Sequence, residues 1–312
     1  MTSAWPGDSA TVVRWVRSTL RRAAQDAGEV ALKGLEDIEV SAALTGQDLD
    51  QLTLDATGTK LTIGWNAPPM PTDPVTNTPA PNTPAPEDSP APDIISREPG
   101  MVRSFRFSAR PMRIERSPLT IDVQAFDMPI VWLTAAEPAE PGVPESAHSI
   151  IPDDDLGELR GTFHASIAKK DLVPLIRSVA RPMLSEGGIH LGRLRIEVVQ
   201  DGADGIRVTA YTGVRWKLLL ASARAEARIE VTKDAVITIR DLTLGSRNLL
   251  VKAALLFARK HVRTLIGRRI DLNESFTADG TNLRLRDVRV GTGERLSVEG
   301  RFSSRTVGTT RT

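Results

Sequence analysis

Few side chains in this sequence stand where they could do chemistry. The four histidines are His148, His164, His190 and His261, and no two of them share a metal-ligand spacing. The chain has no cysteine, which excludes disulfides, thiol chemistry and cysteine metal sites. A zinc site would need several histidines to converge, and nothing in their placement suggests it. Asp153, Asp154 and Asp155 carry enough charge for a divalent cation, but the glycine and bidentate glutamate of a calcium loop are missing. They read as a solvated acidic turn. There is no G-x-S-x-G, no P-loop and no G-x-G-x-x-G after a strand. Gly187 and Gly188 read as the C-cap of the helix before them, not as a phosphate cradle. The expectation is a protein that is not an enzyme, with no catalytic residue, no metal and no cofactor.

One segment stands out. Residues 246–269 contain no acid. At helical spacing, Val251, Leu255, Ala258, Val262 and Ile266 form one stripe, and Leu250, Ala254, Phe257 and Leu265 widen it. Asn248, Lys252, Arg259 and Arg263 fall on the opposite side, and Arg268 and Arg269 suit the negative end of a helix dipole. The cationic side could meet anionic lipid headgroups. It could meet nucleic-acid phosphate, or simply be the solvated back of a core helix. A net charge of +1 and an aromatic content of 4% argue against nucleic acid.

The elements that would position this segment can be read from periodicity. A helix is expected over about 9–27, capped by Asp8 or Ser9, with Val12, Val16, Leu20, Ala23 and Ala27 on one face. Strands follow over 35–65, broken by a turn near Gly46, Gln47 and Asp48. Residues 67–99 hold 11 of the 21 prolines and read as an extended linker. After it, Phe105, Phe107 and Ala109 share a face, as do Leu119, Ile121 and Val123. Near Phe126, Asp127 and Met128 the phase changes, which predicts a bulge. A second flexible loop spans 135–156. A strand near 158–168 leads into a helix over about 169–185, which Pro182 kinks or ends.

Strands are then expected at 189–200, 205–212, 214–220, 222–232 and 235–244, a long helix at 246–268, and a closing hairpin. In the fourth of those strands, Arg224, Glu226, Arg228 and Glu230 alternate with Ala223, Ala225, Ala227 and Ile229, giving one wet face and one dry face. Three alanines in a row leave room for a close helix or for a ligand. Short links between successive strands imply antiparallel pairing.

The chain has 312 residues, 40% of them hydrophobic, which is enough for a sizeable aliphatic core. Residues 1–66 and 100–312 are read as one elongated domain. No basic n-region precedes an apolar run at the N-terminus and no window could span a bilayer, so the chain reads as cytoplasmic, with peripheral contact to an anionic membrane allowed.

Three stretches resemble the LmeA-like phospholipid-binding proteins of actinobacteria, which look related to the tubular lipid-binding (TULIP) superfamily. They are Gly46 to Gly58 (GQDLDQLTLDATG), Leu159 to Leu172 (LRGTFHASIAKKDL) and Leu283 to Gly300 (LRLRDVRVGTGERLSVEG). The resemblance implies an α+β fold in which a long curved antiparallel sheet wraps around a long helix. It also implies non-catalytic phospholipid binding, with a role in lipid transfer or envelope-lipid metabolism.

Together these readings predict an apolar groove between helix and sheet for a phospholipid or fatty acid. Leu255, Phe257, Val262, Leu265 and Ile266 would line one side, and Ala225, Ala227 and Ile229 the other. Trp132 and Trp216 would mark the mouth. Lys252, Arg259 and Arg263 would face a headgroup or membrane. The competing class is a protein-interaction module with a solid core.

Overall fold

The alternating runs that follow the proline-rich segment become two strands far longer than the usual three to ten residues. A computed structural model describes residues 5–25, 30–65, 93–153, 159–186, 189–202, 204–216, 219–246, 266–274 and 283–304. In it β5 spans Ile94–Ile114 and β6 spans Ser117–Ala135. At the usual rise, the 21 residues of β5 extend for about 70 Å. They pair along nearly their whole length, from Ile94↔Ala135 to Ile114↔Ser117.

This ribbon is the spine of a ten-stranded sheet. Before it come β1 (Val30–Lys33), β2 (Glu39–Thr45), β3 (Asp48–Asp55) and β4 (Lys60–Trp65). β3 and β4 both lie parallel to β5, and one register runs from Leu49↔Val102 through to Leu61↔Ile114. They act as a single interrupted strand. Between them, Ala56 N–H bonds to Ser108 O at 2.7 Å and Gly58 N–H to Pro111 O at 2.8 Å, so the ladder continues across the turn. β2 and β1 pair antiparallel with β3 and β4. The link between β1 and β2 passes Gly34 at φ 99, where a Cβ would fall 2.2 Å from Lys60 O, so only glycine fits. The parallel joints are a departure from the all-antiparallel expectation. They occur where residues 66–92 separate the partners in sequence, so the short-link argument does not reach them.

On the other side of the ribbon, β6 pairs with β7 (His148–Pro152) at one end and β8 (Arg160–Ala168) at the other. Beyond β8 lie β15 (Arg295–Ser304) and β14 (Leu283–Thr292). A second sheet has five strands in the order β13-β12-β11-β10-β9. They are β9 (Ile189–Gln200), β10 (Gly205–Trp216), β11 (Leu219–Val231), β12 (Val236–Ser246) and β13 (Arg269–Asp271).

Among the described residues, two helices of several turns lie on these sheets. α1 is Ser9–Gln25 and α2 is Lys169–Glu186. The Asp8 carboxylate accepts from Thr11 N–H at 2.7 Å and caps α1, as its position suggested. Val12, Trp15 and Val16 of α1 pack onto Leu49, Leu52, Leu54, Val102 and Ile130 of the large sheet. α2 runs through Pro182 to Glu186 without ending there. Its Leu172 joins Ile167 and Val198, a cluster that joins the two sheets. A third cluster, Val231, Ala235 and Val288, seats the end of the small sheet on the β14–β15 hairpin.

The expected fold, one curved sheet wrapped around a long helix, does not form. The molecule is mostly β and has two large sheets, with only short helices laid on them. The proposed central helix begins and ends in strand, since Ser246 closes β12 and Arg269 opens β13, while 247–265 lie outside the described residues. The reason is that alternation sets which face of a strand is dry but not what covers it. Among the described residues, α1 covers part of the large sheet and α2 packs where β8 and β9 meet.

Smaller differences have equally local causes. The strands expected at 205–212 and 214–220 are not two: β10 runs through Gly213 to Trp216, and its register against β9 slips between Thr212 and Val214. Glycine there marks a bulge rather than a turn. At Asp127, φ is 49, yet the β5–β6 register is the same on both sides. Both strands change phase together, so no bulge is needed. In the β14–β15 hairpin, by contrast, the register does slip between Arg286 and Arg289. The linker expected to reach residue 99 gives way to β5 at Ile94, and β7 forms inside the segment read as a second flexible loop. The remainder of the proline-rich run, to Pro92, lies outside the described residues.

Candidate functional site

The residues predicted to form an apolar groove are only partly described. Lys252, Leu255, Phe257, Arg259, Val262, Arg263 and Leu265 lie outside the described residues. Ile266 is exposed, just before a turn in which Gly267 N–H bonds to Ile239 O at 2.7 Å. Ala225, Ala227 and Ile229 do share the dry face of β11. Ala225 stands between Ala210 and Leu244, and Ala227 between Val208 and Leu242. Ile229 is taken into the cluster against β14 and β15. Trp216 ends β10, paired with Ile189 and Leu219.

Trp132 is a correction. It marks no groove mouth: it is 1% exposed in the core of the large sheet, away from β11. Its Nε1–H donates to Gln47 O at 2.9 Å. Trp5 and Trp15 meet its ring edge-on, with centroids 6.0 and 5.8 Å away. His148 completes this group. It opens β7 rather than lying in a linker, and its ring stacks on Trp5 at 3.6 Å. Trp15 Nε1–H donates to its carbonyl at 2.9 Å, and Thr134 Oγ1 lies 3.1 Å from Nδ1. Burial holds the His148 imidazole below its usual value, and the nearby Glu145 carboxylate only partly opposes this. Arg14 of α1 bonds to Glu145 at 2.7 Å, and that bond keeps the Glu145 carboxyl below the ordinary range. The group ties the N-terminal segment to the end of the long ribbon and has a structural role.

The other histidines stay apart. His164 Nδ1 lies 3.8 Å from Glu299 on the outer face of the large sheet. His190 stands in β9 opposite Arg215, and His261 lies outside the described residues. Asp153 N–H bonds to Pro129 O, while Asp154 and Asp155 are outside the described residues. Among the described residues, no group of three or more histidines and carboxylates is placed to hold a metal. No helix among them is long and apolar enough to cross a membrane.

Several surface grooves among the described residues combine charge with space, and two of them bear on function. One, of about 550 Å³, lies across β5, β6, β8, β15 and β14. Its walls balance both signs. Arg110 Nε donates to Asp122 at 2.9 Å, and Arg301 stands 3.8 Å from Asp287. The Asp122 pair pushes the Arg110 guanidinium above its usual value. The other groove, of about 760 Å³, lies at one end of the small sheet and is lined by Arg193, Arg195, Tyr211, Arg224 and a run of small residues. In the sequence, period-two alternation marks the arginines of β11 only as part of a wet face. The signal for more was there: glycines inside strands, at Gly213 and Gly245, mark places where another group can approach the backbone.

These features define the class: a mostly β protein of two packed sheets with charged outer faces. No family model matches the chain, and no curated protein or solved structure matches it either.

Proposed function

We propose that the protein binds a long apolar ligand, a phospholipid or a fatty acid, without transforming it. The resemblance to LmeA-like proteins points the same way. The observation that supports this reading is the dry face of β11 and β12. Ala225, Ala227, Leu242 and Leu244 are half-buried there, and among the described residues none of the four belongs to the packed clusters. Alanine side chains leave width above the sheet, and each methylene placed on such a surface gains about 0.8 kcal/mol. An acyl chain suits that strip better than a polar ligand does.

Native mass spectrometry of the full chain, followed by solvent extraction, tests this. One phospholipid or fatty acid per chain is expected, either as purified or after incubation with anionic vesicles. An apo mass under both conditions would overturn the proposal.

A further inference from the structure

The outer face of the small sheet carries its charges in bands. The register sets Glu197, Thr209 and Glu226 in one row across β9, β10 and β11, and Arg195, Tyr211 and Arg224 in the next. Beyond them the bulge at Gly213 lies against Gly192, whose added Cβ would come 3.1 Å from Gly213 O. Over this end of the sheet opens the groove of about 760 Å³. Its lining includes Arg193, Arg195, Arg224 and Tyr211 and, among the described residues, no carboxylate. Gly213 and Gly245 form its floor, and a Cβ added to either would meet nothing within 4 Å.

The arginines are held but not used up. Arg195 Nη2 is 2.6 Å from Glu197, and Arg224 Nη2 is 2.6 Å from Glu226. These bonds anchor the two guanidiniums to the acidic band and commit one nitrogen of each. A guanidinium has five N–H donors, so several remain for a ligand. The Arg224 guanidinium also lies 5.4 Å from the centre of the Tyr211 ring, which limits its swing. Arg193 has no carboxylate partner among the described residues. Against a whole-chain charge of only +1, three arginines lining one groove are a local feature.

We propose that this groove binds a phosphate ester. Planar arginine forks match the oxygens of a phosphate, and several donors converging on one dianion are the usual means of holding it. The Tyr211 hydroxyl adds a neutral donor, and the glycine floor lets the ligand settle against the strands. This site is inferred without appeal to the apolar ligand proposed above.

The test follows the amide signals of Gly213 and Gly245 in the labelled full chain. Sodium phosphate and glycerol 3-phosphate are titrated against sodium chloride at equal ionic strength. Saturable shifts with the phosphates but not with chloride are expected. The pair Arg193→Gln and Arg224→Gln should weaken binding at least tenfold, while Arg113→Gln, exposed on the large sheet, should not change it. Arg193→Lys keeps the charge and should retain binding with a smaller loss. A parallel flotation assay compares vesicles containing phosphatidic acid with vesicles of phosphatidylcholine alone. Saturation by glycerol 3-phosphate without vesicle retention assigns a free small ester. Retention on phosphatidic acid vesicles that the double variant loses assigns a lipid headgroup. Absence of both, or a folded double variant that binds like the parent, would overturn the site.

Discussion

Replacing Trp132 with alanine separates a core tryptophan from one at the mouth of a groove. The side chain is 1% exposed, so its whole surface is lost from the interior. Core tryptophan-to-alanine changes cost about 3–5 kcal/mol. The upper half of that range is expected, because two edge-on aromatic partners, at 6.0 and 5.8 Å, lose their contact together. The part-buried hydrogen bond to Gln47 O also goes. For a chain of this size the melting temperature should fall on the order of 10 °C. Urea unfolding followed by far-ultraviolet circular dichroism measures the loss without relying on the indole that was removed. Trp132→Phe keeps a ring between Trp5 and Trp15 and should lose about half as much or less. A loss of about 0.5 kcal/mol or less for the alanine variant, the range of surface positions, would refute the assignment of Trp132 to the core.

The remaining predictions concern other parts of the molecule. The His148 imidazole is held below its unfolded value, mainly by burial. The folded state therefore binds fewer protons than the unfolded one, and the stability involved is fully present above about pH 6.5 and is lost as pH falls below it. In urea titrations from about pH 8 to pH 5, the parent should lose stability relative to His148→Phe, which keeps a stacked ring and cannot titrate; parallel curves would count against this. Gly161→Ala places a Cβ 2.1 Å from the Phe302 ring and 2.4 Å from Gln124 O, so it should destabilise by about 1–3 kcal/mol in thermal melts, and an unchanged melt would mean that β8 and β15 are less close. Ala225→Trp should abolish retention of the apolar ligand while leaving the phosphate titration at Gly213 intact, as read by native mass spectrometry and amide shifts on the same sample.

Much of the architecture was legible because period-two alternation is a local property. The dry face of β11, the start of α1 at Asp8, the strand leading into α2 and the closing hairpin all follow from neighbours in sequence. What was not legible depends on partners far along the chain. Leu49 meets Val102 in a parallel joint across the whole proline-rich run, and no short-range rule reports that. Trp132 looked amphipathic enough for a groove rim, yet its place is decided by Trp5, Trp15 and Gln47, which lie more than 80 residues earlier. The Arg193–Arg224 groove depends on β9, β10 and β11 being adjacent, and the tyrosine between the arginines comes from the middle strand. Sheet partners and what covers a dry face are long-range facts, and that is why the wrapped-helix expectation failed.

The two proposed sites meet at β11, where Arg224 and Ala225 are consecutive. Consecutive residues of a strand point to opposite faces of the sheet. Arg224 is exposed beside Tyr211, and Ala225 is half-buried between Ala210 and Leu244. A single acyl ester could occupy both only by passing around an edge of the sheet, for instance past the end of β12, where Ser246 Oγ–H bonds to Ser222 O at 2.6 Å. Two separate ligands need no such path. The combined behaviour of the variants therefore has a definite meaning. If the arginine double variant loses the phosphate ester but keeps the apolar ligand, the faces act independently. If it loses both, one amphiphile spans the edge, with its headgroup on the arginine face and its chain on the alanine face.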